Sequence, residues 1–88
     1  MDGRGAADAD RARAVTLRVY AWLRRKRPDL ASREVALDGI ESVQGLFDAV
    51  SLAPADEVII LVNDRRAELT SSVHAGDTVC VFPMLDGG

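Results

Sequence analysis

The sequence predicts an α+β domain: a sheet of four to five strands with one main helix laid across it, in the order β-β-α-β-β-β. Three observations predict it. Val15 to Trp22 and Thr78 to Phe82 alternate their side chains with the period of two expected of half-buried strands. Val58-Ile59-Ile60-Leu61-Val62 is a continuous, mostly β-branched run suited to a strand near the centre of a sheet. Val43, Leu46, Phe47 and Val50 fall at i, i+3, i+4 and i+7, and a lone amphipathic helix with that stripe needs a sheet to cover it.

Taken in order, the chain opens with Asp2 to Arg13, rich in Gly, Ala, Asp and Arg without apolar periodicity. Residues 1–14 are therefore expected to form a disordered tail, 15–85 the folded domain and 86–88 a flexible arm. The first strand, Val15 to Trp22, turns Val15, Leu17, Val19 and Ala21 to one face and Thr16, Arg18, Tyr20 and Trp22 to the other. A charged loop through Pro28 and Asp29 leads to a short second strand, Glu34-Val35-Ala36-Leu37. Ser42 offers an N-cap oxygen to the helix. Gly45 weakens that helix by about 0.5–1 kcal/mol relative to alanine, so packing must hold it. Pro54 marks its limit. After the apolar run, Asn63-Asp64 tolerate positive φ and predict a tight turn into Arg66-Ala67-Glu68-Leu69. Gly76-Asp77 supplies a further turn before the last strand.

Composition narrows the function. A chain of 88 residues, 48% hydrophobic and 28% charged, reads as one globular domain with a small core. Its longest apolar run is too short to cross a bilayer, and Met1 to Ala14 lacks the apolar segment of a secretory signal. Cys80, the single cysteine, cannot form an internal disulfide, and no Cys/His spacing suggests a metal site, so a reducing cytoplasm is expected. Charge is uneven: residues 1–33 hold nine Lys/Arg against four Asp/Glu, and residues 34–88 hold two against ten. The run Arg24-Arg25-Lys26-Arg27 beside so acidic a body is poor footing for phosphates. It reads as a solvated turn, with a basic protein contact left open, and neither nucleic acid nor membrane is expected as a partner.

The last eleven residues, Thr78-Val79-Cys80-Val81-Phe82-Pro83-Met84-Leu85-Asp86-Gly87-Gly88, read as a strand, a proline where ladder pairing should fade, and an arm. Val79 and Val81 face the core, which turns Cys80 and Phe82 to the other side. Gly87 and Gly88 have no side chains and can pass through a channel too narrow for other residues.

These residues carry a resemblance. The chain from Val15 to Gly88 resembles the ubiquitin-like β-grasp sulfur carriers, the family of the molybdopterin synthase small subunit and the thiamine-pathway carrier. The matching parts are Val15-Thr16-Leu17-Arg18-Val19-Tyr20-Ala21, Val62-Asn63 before a tight turn, Ala75-Gly76-Asp77-Thr78-Val79, and Phe82-Pro83 ahead of Gly87-Gly88. Met84 stands where the family commonly has a second proline, and Asp86 occupies a variable position. The resemblance implies a mixed sheet and a protein that is carrier and co-substrate rather than enzyme. It also implies that a ubiquitin-activating-like adenylyltransferase spends ATP on the Gly88 carboxylate, and that a sulfur donor, a sulfurtransferase or persulfide, converts it to a thiocarboxylate. An acceptor such as the molybdopterin synthase large subunit then takes the sulfur. No cofactor is expected to bind the carrier itself. Cysteine, thiamine and secondary-metabolite sulfur remain open as destinations, and a ubiquitin-like modifier joined to lysines through Gly88 is the alternative of another class.

The partner interface expected from the residues is Cys80, Phe82, Pro83, Met84, Leu85 and Asp86, with Arg24 added by resemblance to an arginine the family's small subunits carry there. Met84 and Leu85 suit a partner's groove, held by extended backbone bonding and apolar pockets. Cys80 has no flanking cation to make it a reactive thiolate, so it is read as a surface residue rather than a sulfur relay. His74 has no nucleophile or carboxylate arranged around it by sequence and is read as a loop residue.

Overall fold

A computed structural model of the chain describes residues 13–52 and 58–84. Five strands, β1 (Ala14–Val19), β2 (Arg33–Ala36), β3 (Val58–Val62), β4 (Arg65–Ala67) and β5 (Thr78–Pro83), form one mixed sheet in the order β2-β1-β5-β3-β4. The central pair β1 and β5 is parallel, with Leu17 beside Val79 and Val19 beside Val81, and the remaining pairs are antiparallel. A short helix, α1 (Trp22–Lys26), and a 3₁₀ turn at Pro28–Leu30 follow β1, and the main helix is α2 (Val43–Ala49).

The helix-side face of the sheet is made by strict alternation. Val15, Leu17 and Val19 of β1, Val79 and Val81 of β5, and Ile60 of β3 are buried, and they meet Val43, Leu46, Phe47 and Val50 in one cluster with α2. Helix α2 starts as its sequence demands, with the Gly45 N–H donating to Ser42 Oγ at 3.2 Å. At seven residues it is too short to stand alone, so the stripe that buries Leu46 and Phe47 holds it in place. Pro54, expected to limit the helix, lies outside the described residues.

The structure corrects the expectation that the first strand runs to Trp22. It begins at Ala14, the residue at which the tail was expected to end, and stops at Val19, because Ala21 takes φ 58° and turns the chain into α1. The charged segment after it is therefore helix and 3₁₀ turn rather than loop. Leu23 and Leu30 explain this, because both are buried and pull the segment onto the sheet's end. Strand β2 lies one residue earlier than expected. Strand β4 covers Arg65–Ala67 rather than Arg66 to Leu69, since the Glu68 N–H donates to Ser71 Oγ and starts a turn there. Asn63 and Asp64, both at positive φ, make the expected tight turn between β3 and β4.

Candidate functional site

The site grows from the far end of β5. Because β1 and β5 run parallel, they finish side by side, and the Tyr20 N–H donates to the Val81 carbonyl at 3.1 Å to extend their ladder past the last residue of β1. The Tyr20 and Phe82 rings then stack with centroids 4.4 Å apart and planes 10° apart. Tyr20 Oη lies 3.9 Å from Cys80 Sγ. Cys80 and Phe82 are half-buried on the face away from α2, while Val79 and Val81 are fully buried on the other side.

Pro83 ends β5 and pairs with Val58, so pairing persists through the proline. The ladder tolerates it because this is the strand's final position. Its own side is the buried one. Met84 is exposed at 45%, a large apolar side chain without cover in the isolated chain. Leu85, Asp86, Gly87 and Gly88 lie outside the described residues, as do residues 1–12 of the expected tail.

Arg24 is exposed on α1, a helix that packs against β5 next to this end. It shares the helix with exposed Arg25 and Lys26, and Lys26 Nζ sits 5.5 Å from the Trp22 ring centroid. Arg27, the last of the basic run, is turned inward instead. Its guanidinium donates to the Val50 and Ser51 carbonyls at 2.8 and 2.9 Å and to both Asp29 carboxylate oxygens. By sequence Arg24 stands out from the run through the family resemblance while Arg27 has no separate role; buried Leu23 and Leu30 are the signal that this segment docks and turns Arg27 inward.

Two of the motif pieces meet at the opposite end of β5. Asn63 Nδ2 donates to Asp77 Oδ1 at 2.9 Å, the Thr78 N–H donates to Asn63 Oδ1 at 3.0 Å, and the His74 N–H donates to Asp77 Oδ2 at 2.8 Å. Gly76 takes φ 88° to make the turn. This knot fixes the start of β5 and hence the register that sets where the strand ends. His74 itself is outward, its side chain 78% exposed. A shallow concavity lined by Arg13, Ala36, Leu37 and Asp38 lies near the start of β1, at the other end from the Tyr20–Phe82 pair. Among the described residues, no His/Cys/Asp/Glu group could hold a metal ion, and no helix is long and apolar enough to cross a membrane.

The ThiS family model matches residues 17–88, from the first buried leucine of β1 through Gly88. The chain belongs to the ThiS family. Small archaeal modifier protein 1 (SAMP1) of Haloferax volcanii shares the fold, with 22% identity and a TM-score of 0.69 over 85% of this chain and 99% of that one. A putative molybdopterin converting factor, subunit 1, from Pyrococcus furiosus superposes with a TM-score of 0.66 at 21% identity, covering 82% of this chain and 98% of its own. A third neighbour, the HVO 2177 protein of Haloferax volcanii, is 24% identical with a TM-score of 0.69 over 85% of this chain and 86% of its own. A search of curated proteins returns no match. The five-stranded sheet with α2 across it is thus the ubiquitin-like β-grasp, and this ThiS-family protein is a small ubiquitin-like protein of the sulfur-carrier kind. Proteins of this kind are typically non-catalytic carriers that work with activating and biosynthetic enzymes.

Proposed function

We propose that this ThiS-family protein carries sulfur as a thiocarboxylate on Gly88. A bare carboxylate is a poor acyl donor because oxide would have to leave. In the proposed reaction an ATP-dependent partner resembling ubiquitin-activating enzymes supplies the activation. The Gly88 carboxylate attacks the α-phosphorus of ATP, pyrophosphate departs, and an acyl-adenylate forms. A sulfide equivalent from a sulfur donor then adds to the carbonyl carbon and AMP leaves, giving the thiocarboxylate. The carrier's own part is delivery: Gly87 and Gly88 enter a narrow channel, while Phe82, Met84, Leu85, Asp86 and Arg24 contact the partner. ATP is bound by that partner and not by this chain.

The observation that carries this reading is the family match running through Gly88 on a β-grasp whose last strand ends at Pro83, four residues before Gly87 in the sequence. Molybdopterin synthesis is the proposed destination, with the protein as small subunit of the synthase, and the likeness to the Pyrococcus furiosus converting-factor subunit supports it. The likeness to SAMP1 supports a second reading, a modifier joined through Gly88 to lysines of other proteins.

Intact-mass analysis separates the two. After incubation with ATP, a sulfur donor and the activating enzyme, the carrier reading expects a free chain heavier by about 16 Da, since sulfur replaces oxygen. The modifier reading expects higher-mass isopeptide conjugates instead. Extending the chain by one residue after Gly88 is expected to abolish either product; undiminished sulfur delivery by the extended chain would overturn the carrier role.

A further inference from the structure

The chain's eleven Lys/Arg side chains are ten arginines and Lys26. A guanidinium stays protonated and is no nucleophile, so Lys26 carries the sole side-chain amine that an activated carboxylate can acylate. Lys26 is exposed at the last position of α1, and its Nζ folds back to lie 5.5 Å from the centroid of the Trp22 ring, one turn earlier. Trp22 stands two residues after Tyr20, whose ring stacks on Phe82, and Phe82 stands two residues before Met84. The amine is thus held toward the end of α1 that adjoins the root of the arm, and α1 itself packs on β5. From Met84 to Gly88 the arm has five residues, an extended reach of about 17 Å. It ends on Asp86 and the Gly88 carboxylate, opposite in sign to exposed Arg24, Arg25 and Lys26.

We infer that Lys26 is an intrachain capture site for the chain's own activated C-terminus, closing a Lys26–Gly88 isopeptide ring when no sulfur arrives. The step rests on the Gly88 acyl-adenylate of the proposed function, with ATP as the co-reactant. Unprotonated Nζ adds to the Gly88 carbonyl carbon and the amine proton passes to solvent. The C–O bond to the phosphate then breaks, and AMP departs with its electron pair. The net balance is loss of one water from the chain and cleavage of ATP to AMP and pyrophosphate. A short tether gives an effective concentration in about the millimolar range, so ring closure outruns capture by a second copy at about micromolar protein. Sulfur delivery then competes with this ring, and a chain so closed has no Gly88 carboxylate left to activate.

The test uses the full chain carrying a Gly88 thioester, which supplies the activation without any partner, at about micromolar concentration. The expected product is a chain about 18 Da lighter than the free acid, formed at a rate independent of protein concentration. Fragment spectra should place the new bond between Gly88 and Lys26. Lys26→Arg keeps the charge and should cut that product about tenfold or more, leaving hydrolysis. Hydrolysis alone in the wild-type chain, a bond to the α-amine instead, or a rate that scales with concentration would each overturn the capture. With ATP and the activating enzyme but no sulfur donor, the same lighter chain is expected, and adding the donor should divert it to the thiocarboxylate. A wild-type chain that forms no adenylate there would count against the proposed function, whereas the thioester chain still decides whether Lys26 captures Gly88.

Discussion

Tyr20 and Phe82 stack nearly parallel, 4.4 Å between centroids, at the one point where the two central parallel strands end together. Tyr20 comes from just past β1, where Ala21 turns the chain into α1, and Phe82 from the penultimate position of β5. The pair therefore joins the root of the arm to the base of the basic helix, on the face opposite the core.

An aromatic stack of this kind is worth about 0.5–1.5 kcal/mol beyond its area burial, small against the core. Phe82→Asp should accordingly leave a cooperative unfolding transition while weakening partner binding. A double-mutant cycle of Tyr20→Ala and Phe82→Ala in urea should return a coupling energy in the same range of about 0.5–1.5 kcal/mol. Loss of the unfolding transition in Phe82→Asp would show that this ring belongs to the core.

Leu30 provides a sharper contrast. A leucine in a solvated loop changes stability within about 0.5 kcal/mol on truncation, whereas a buried one costs about 2–5 kcal/mol. The structure gives Leu30 no exposed surface. Leu30→Ala should therefore lower the urea midpoint as severely as Leu46→Ala. A near-silent Leu30→Ala would mean that the 3₁₀ turn does not pack on the sheet.

What the sequence revealed, and what it withheld, follows the range of the interactions. Alternation in Val15-Leu17-Val19 and Val79-Val81, and the stripe Val43-Leu46-Phe47-Val50, are local signals, and each residue is buried as its spacing demands. The segment from Trp22 to Leu30 reads as strand end and loop because its charges are sequential, while its two anchoring leucines, seven residues apart, act through contacts with the sheet's end. The stack of Tyr20 on Phe82 and the bonds from Asn63 to Asp77 span 62 and 14 residues, so no local period announces them. The motif pieces near Asn63 and Asp77 were visible singly; their joint role in setting the register of β5 needed the fold.

Two glycines should respond with opposite signs. Gly45 lies inside α2, and an added Cβ would meet its nearest neighbour, Ile40 Cγ2, at 3.6 Å, an ordinary contact. Gly45→Ala should therefore raise stability by about 0.5–1 kcal/mol through helix propensity. At Gly76 an added Cβ meets nothing, yet φ is +88°. Gly76→Ala should cost about 1–2 kcal/mol from backbone strain alone, with no steric clash to relieve. Thermal unfolding of the two variants side by side checks both signs.

The last prediction concerns acid. Asp29 is held below its ordinary carboxyl value of 3.8, first by the hydrogen bonds from Arg27 and then by the positive charges of Arg27 and Arg33, with partial desolvation working the other way. A depressed folded-state value means the unfolded chain takes up the proton first. The pair's contribution is thus present above the ordinary value and lost as pH falls below it through the folded-state value. Both side chains are substantially exposed, at 30% and 48%, so solvent screening keeps the effect shallow. Asp29→Asn should flatten the acid limb of a urea-midpoint profile below pH 4 without altering its neutral plateau greatly. Arg27→Ala should lower the plateau itself, because it also strips the donors from the Val50 and Ser51 carbonyls that close α2. Arg27→Lys should recover only part of that loss, since an ammonium cannot span two carbonyls and a carboxylate with the reach of a planar fork. Equal plateaus for Asp29→Asn and Arg27→Ala would show that the ion pair, and not the helix end, is what Arg27 serves.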